Sequence, residues 1–205
     1  PSNISLKIEM GRGDIAAGES AADTVVERSV KTQGVHQGYI EPEAETAWYR
    51  SDGRLTVWAN TQGLFGQRAQ ISGITGIPET SITVIPTEVG GGFGAKNVCR
   101  VSPIASLLSR KAGRPVNIAL SRDEVLRATG PAPATTNWVR AGAKSDGTIT
   151  FIDARMVYNA GGFPGSPLAG GTLVGFSPYR TENLQIIGYD VVTNKPKVGA
   201  YRAPG

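Results

Sequence analysis

This chain of 205 residues has one cysteine and one histidine. With Cys99 alone, no intrachain disulfide framework and no paired-thiolate metal site can form; the residue reads as a small buried hydrophobe. With His36 alone, the two-histidine metal motifs are excluded, and no serine, histidine and acid constellation gathers around it. No apolar run approaches the roughly 18 residues of a membrane span. The opening PSNISLKIEM lacks the basic start and apolar middle of a secretory signal. Basic residues never fall three in a row, and the net charge is only +4. That argues against nucleic acid as a partner and leaves some positive charge to face a bound anion or an acidic partner. A cytoplasmic location and no membrane span are the expectations. The chain starts without methionine and stops at YRAPG, which suggests an excised or processed fragment.

Glycine is the residue in surplus, at 27 positions, in a chain that is 40% hydrophobic and therefore able to bury a core. Residues 1–40 hold few long apolar runs and read as an extended N-terminal segment or linker, with DTVVERSVKTQG as one possible strand. The GRGD within it has the letters of an adhesion motif and nothing else to support that role. From Glu43 the pattern tightens. ETAWYR and LTVWAN are short strand candidates around an Asp52-Gly53 hairpin signal. GLFGQRAQISGITG carries apolar residues at helical spacing and stops at Gly76 and Pro78. SITVIP is a strand. VCRVSPIASLLSRKAG is a helix with Pro103 near its start and Gly113 beyond its end. PVNIALS is a further strand and SRDEVLRATG a short turn and helix. A second Asp-Gly turn, Asp146-Gly147, divides a strand-like stretch. AGGFPGSPLAGGTLVGF is a long loop or a short buried helix, and NLQIIGYDVVTNK returns to strand spacing.

The fold class expected is α+β, with mixed sheets and helices packed on one face. Its order is strand, strand, helix, strand, helix, strand, followed by a mainly β segment. The organisation expected is a segment at 1–40, an α+β part at 41–130 and a β part at 131–205.

The stretch Glu88-Val-Gly-Gly-Gly-Phe-Gly-Ala-Lys-Asn97 is the unusual one. Four glycines weaken any helix or strand. The spacing is not that of a P-loop, because Lys96 precedes Asn97 rather than Ser or Thr, and not that of a dinucleotide fingerprint. A nucleotide-binding module therefore fails on spacing. The loop follows a strand and precedes a helix, where free N–H groups favour an anion or an oxo group. A ligand-free tight turn is the competing reading. Phe93 argues for the ligand, as a wall beside a bound ring. Gln62, in ANTQGLFG, either donates its amide to a ligand oxygen or caps a helix toward solvent. Arg202, in VGAYRAPG, offers a planar donor fork or is a surface arginine. Glu41, Glu43 and Glu45 fall at period two and are expected to face solvent, with buttressing of a site by one of them as the alternative.

Taken in order, VHQGYIEPEAETAWY, ANTQ, GGGFGAKN and AYRAPG closely resemble the molybdenum-binding large subunit of the xanthine dehydrogenase and aldehyde oxidase family, from about Thr32 to the end. The resemblance implies oxidative hydroxylation of an aldehyde or N-heterocycle with water as oxygen source. It implies molybdopterin, as the cytosine dinucleotide, in the complete enzyme, with no side chain ligating the metal. Gln62 and Arg202 take catalytic positions, and Gln62, Gly92, Phe93, Gly94 and Arg202 line the cofactor. The implied partners are the remainder of the large subunit, iron–sulfur and flavin subunits or domains, and a small-molecule substrate. Two departures stand out. Asn97 replaces the substrate-binding glutamate of purine-oxidising members, and Ala203 replaces the cysteine of carbon monoxide dehydrogenases. Family subunits are several times longer and keep their catalytic glutamate further on. A chain of this length is therefore expected to be inactive alone, as an enzyme fragment; a non-catalytic short subunit that docks to a partner is the alternative.

Overall fold

A computed structural model describes residues 2–202. The chain divides into two compact units, one formed by residues 1–35 with 131–205 and the other by residues 36–130.

The first unit is a five-stranded mixed sheet in the order β1-β9-β8-β7-β2. Its strands are β1 (Ile4–Arg12), β2 (Thr24–Thr32), β7 (Thr135–Ala143), β8 (Ile149–Gly161) and β9 (Asn183–Val192). All pairs are antiparallel except β8 with β9. The short helices α1 (Ile15–Ser20) and α5 (Leu168–Val174) belong to it. Ala154, Met156, Leu168 and Ile186 form its core, with Ile8 and Met10 of β1 packed against them. Residues 1–40 are thus not a linker. Ile4, Leu6, Ile8 and Met10 alternate with polar residues, which is the period of a half-buried strand. The GRGD has a structural account: the Asp14 carboxylate caps α1 by accepting from the amides of Ala16 and Ala17. At the β7–β8 turn Gly147 has φ 88°, and the amide of Lys144 donates to the carbonyl of Thr148 at 2.9 Å.

The second unit is a four-stranded sheet in the order β5-β4-β3-β6. Its strands are β3 (Ala44–Tyr49), β4 (Leu55–Ala59), β5 (Ile82–Pro86) and β6 (Val116–Ala119), and its helices are α2 (Leu64–Thr75), α3 (Ser102–Ala112) and α4 (Arg122–Ala128). Asp52-Gly53 makes the β3–β4 hairpin, with Gly53 at φ 82°. The crossover through α2 makes β4 and β5 parallel. Helices α2 and α3 end on left-handed Gly76 and Gly113, where a side chain would be strained. Both pack on one sheet face, because Glu45 of β3 bonds Gln67 of α2 and Ser102 of α3. Ala47, Leu55, Val57, Ala59, Ile71 and Ala105 fill the space between. The α+β class with mixed sheets is what the structure shows.

Candidate functional site

After β5 the chain enters the glycine loop. Gly91, Phe93 and Gly94 have φ of 93°, 52° and 97°. Among the described residues, Phe93 is one of two non-glycines with positive φ, a conformation that costs about 1–2 kcal/mol for an L-residue. A single 3-10 turn, Ala95–Asn97, follows, and α3 starts only at Ser102. The expected helix start at the loop is therefore corrected: the loop has no α-helix N-terminus behind it. Its donors are backbone amides set by the loop itself. Those of Gly91, Gly92 and Phe93 have no hydrogen-bond partner among the described residues.

Gln62 reaches this loop from the end of β4. Its Oε1 accepts from the amides of Gly94 at 2.9 Å and Lys96 at 3.3 Å. Two N–H donors on one atom fix the amide's orientation, since only the oxygen accepts. The Nε2 group, with two donors, then has no acceptor among the described residues. Gly92 is buried against this side chain: a Cβ there would lie 2.7 Å from Gln62 Cδ and closer still to Oε1. Four of the five expected site residues, Gln62, Gly92, Phe93 and Gly94, are thus brought together. Phe93 remains 43% exposed.

The three glutamates correct a second expectation. Glu43 and Glu45 are 3% and 5% exposed, so they do not face solvent. Glu43 accepts from the Tyr39 hydroxyl at 2.5 Å. Burial pushes Glu45 up to about 7, against the donor from Gln67 that pulls it down. Glu41 buttresses the loop, accepting from the Gly90 amide and from Lys96 Nζ, both at 2.7 Å. Burial raises its carboxyl, and the donors from Lys96 and Gly90 outweigh that, so it ends below its ordinary value. Sequence reasoning missed Lys96, whose side chain is 1% exposed. It also missed Arg100, whose Nη1 donates to the Ala95 carbonyl at 2.6 Å. The carboxylate partner of Lys96, Glu41, lies 55 positions away, beyond any periodicity argument.

His36 is structural. Its Nδ1 accepts from the Gly38 amide at 3.0 Å, which puts the proton on Nε2, 2.7 Å from Thr129 Oγ1. Burial, aided by Arg122 and Arg100, holds it below the ordinary imidazole value, so it is neutral near pH 7. Arg202 belongs to the first unit, where it is exposed with φ 37°. Ala203, Pro204 and Gly205 lie outside the described residues. A cleft of about 660 Å³ on the first unit, between Lys144 and Arg180, includes none of these residues. Among the described residues no group of three His, Cys, Asp or Glu could hold a metal ion, and no helix is long and apolar enough to cross a membrane.

Unpaired amides beside an oriented carboxamide donor form a cradle suited to an oxygen-bearing ligand. The family model for the molybdopterin cofactor-binding domain matches residues 1–205. This chain belongs to that family. The match includes the N-terminal strands, which the sequence resemblance from Thr32 onward had left out. A probable xanthine dehydrogenase subunit of Bacillus subtilis is 31% identical over 99% of this chain and 28% of its own length. The nicotinate dehydrogenase large molybdopterin subunit of Eubacterium barkeri is 28% identical over 99% of this chain and 48% of its own length. Among solved structures, quinoline 2-oxidoreductase from Pseudomonas putida 86 superposes with a TM-score of 0.91 and 26% identity, over 98% of this chain and 27% of that one. The chain thus spans under half the length of these relatives.

Proposed function

We propose that this chain is the loop-bearing part of a molybdenum hydroxylase catalytic subunit, acting in oxidative hydroxylation of an aldehyde or N-heterocycle with water as oxygen source. The observation that carries this reading is Gln62, whose oxygen is used by the loop and whose Nε2 donors are left over. The residues present fit molybdopterin. The group, when bound, supplies the two-electron oxidation. Gln62 Nε2 would donate to an oxygen of the group, and the amides of Gly91, Gly92 and Phe93 would offer further donors. Gly94 holds Gln62 in place through its amide, and Gly92 leaves room for it. Phe93 walls the substrate side. The resemblance would give Arg202 a catalytic role, its charged donor fork orienting an anionic or carbonyl oxygen. We assign the reaction's base to none of Glu41, Glu43 and Glu45, because each accepts from an internal donor.

Exposed Ile104, Leu107 and Leu108 make one stripe along α3. Their spacing supports a covering partner, which we assign to the remainder of a family-length subunit. Iron–sulfur and flavin partners would carry the electrons away. That stripe equally suits a non-catalytic subunit that docks to a partner. Metal analysis of the complete protein carrying this chain separates the two. Near-stoichiometric molybdenum is expected, and Gln62→Ala should lower turnover about tenfold or more at unchanged metal content, as loss of an oxygen-stabilising donor does. A protein without molybdenum would leave the docking reading standing and end the catalytic one.

A further inference from the structure

The glycine loop lacks side chains that could hold it, yet its amides must stay fixed if Gln62 is to present its donors in one direction. What fixes them lies behind the loop. The Glu41 amide donates to the Gly90 carbonyl at 3.1 Å, and its carboxylate accepts from the Gly90 amide at 2.7 Å. The first residue of the loop is therefore pinned at both its backbone groups. The same Oε2 accepts from Lys96 Nζ at 2.7 Å. Lys96 in turn is tied to the Gln62 arm three times. Its amide donates to Gln62 Oε1 at 3.3 Å, and its carbonyl accepts from the Gln62 amide and from Thr61 Oγ1, both at 3.0 Å. Its ammonium also sits 5.1 Å from the centre of the buried Tyr39 ring.

An ammonium this buried is costly to desolvate, and it is seldom retained for stability alone. Here its geometry has a use: one carboxylate oxygen joins residue 90 to residue 96 and closes the loop into a ring. Lys96 is accordingly not a phosphate-facing lysine of the P-loop kind, because its nitrogen points to the back of the loop and is engaged there.

We propose that Glu41 and Lys96 are positioning residues, a clasp that closes the glycine loop and thereby sets where Gln62 presents its free amide donors. The clasp acts through Gln62 and touches neither cofactor nor substrate; it rests on the reading of Gln62 as a ligand donor. It predicts that breaking the ion pair loosens the loop while the sheet behind it stays intact. Removing either end releases the same ring, so the two single changes and their combination should have similar effects.

The test uses the complete protein carrying this chain in three variants, Glu41→Gln, Lys96→Met and both together. Hydrogen exchange at the amides of Gly90, Gly94 and Lys96 should speed about tenfold or more, the loss expected for a charge-assisted hydrogen bond. Exchange at Ala47 and Val57 in the core of the same unit should stay within about twofold. The Gln62 side-chain NH₂ resonances should shift, a signature that a general loss of stability would not single out. If Lys96→Met unfolds the unit, Glu41→Gln decides alone, since that carboxylate is 32% exposed and tolerates the change better. Unchanged exchange at the three loop amides, or a uniform change across the unit, would overturn the clasp. Molybdenum analysis of the complete protein carrying this chain separately tests the cofactor reading. Absence of molybdenum there, together with faster loop exchange in the variants, would retain the clasp and reject the ligand it serves.

Discussion

Gly92→Ala is the substitution that interrogates the site most directly. The new methyl would sit 2.7 Å from Gln62 Cδ, a separation real Cβ atoms do not adopt. The side chain of Gln62 is the flexible partner and must swing away. In doing so it releases the amides of Gly94 and Lys96 from its Oε1. Gly94 is half-buried and finds water; Lys96 is buried and does not. An unsatisfied buried amide costs about 1–3 kcal/mol and an ordinary hydrogen bond about 0.5–1.5, so a loss of about 2–3 kcal/mol is expected. Gln62→Ala removes the same two bonds by another route and should cost about the same. The double variant then has no clash left to relieve and no bond left to lose. It should match Gln62→Ala, with a coupling of about 2 kcal/mol against additivity. The assay is urea unfolding followed by tryptophan fluorescence in a Trp138→Phe background, which leaves Trp48 and Trp58 reporting on the second unit alone. With a slope of about 2 kcal/mol per molar urea, each single change moves the midpoint down by about 1 M. Additive losses in the double variant, or a Gly92→Ala protein as stable as its parent, would refute the close approach.

Other outcomes follow from buried groups and caps. Glu45 has its folded value raised to about 7, so the folded state holds a proton that the unfolded chain releases near pH 4.5. The second unit should therefore lose stability as pH rises from about 4.5 to 7, by at most about 3 kcal/mol, and Glu45→Gln should flatten that dependence in pH-resolved unfolding. Burial pushes the Cys99 thiol up to about 12. Native protein should resist thiol reagents at pH 8 and react once urea opens the unit; fast native labelling would contradict the packing. Asp14→Ala should cost the first unit about 0.5–2 kcal/mol through loss of the α1 cap, read as a lower thermal midpoint.

Much of the second unit could be read from residues in sequence. Gly76 and Gly113 marked the ends of α2 and α3 because left-handed caps favour glycine. Asp52-Gly53 and Asp146-Gly147 marked their turns for the same conformational reason. The alternation of Ile4, Leu6, Ile8 and Met10 was equally visible, but a short apolar content hid it behind an impression of linker. The burial of Glu43 and Glu45 was not legible, since strand spacing gives the shared face and not what covers it. Their cover comes from Tyr39, Gln67 and Ser102. Within the site, the glycines and Gln62 were legible as motif letters. Glu41 and Lys96, 55 positions apart, are joined only by the fold.

The strand order of the first unit has a consequence for how the protein is made. During synthesis β1 and β2 emerge before the strands they pair with, and β2 pairs with β7, residue 24 facing residue 143. Strand β1 waits longer, for β9, where Ile4 meets Val191. At about 5–20 residues per second that delay is roughly 10–40 s, ample for the segment 36–130 to mature in the meantime. Strand β1 keeps its amides unpaired through that delay and β2 only until β7 appears, an interval in which both strands are open to chaperones that shield edges.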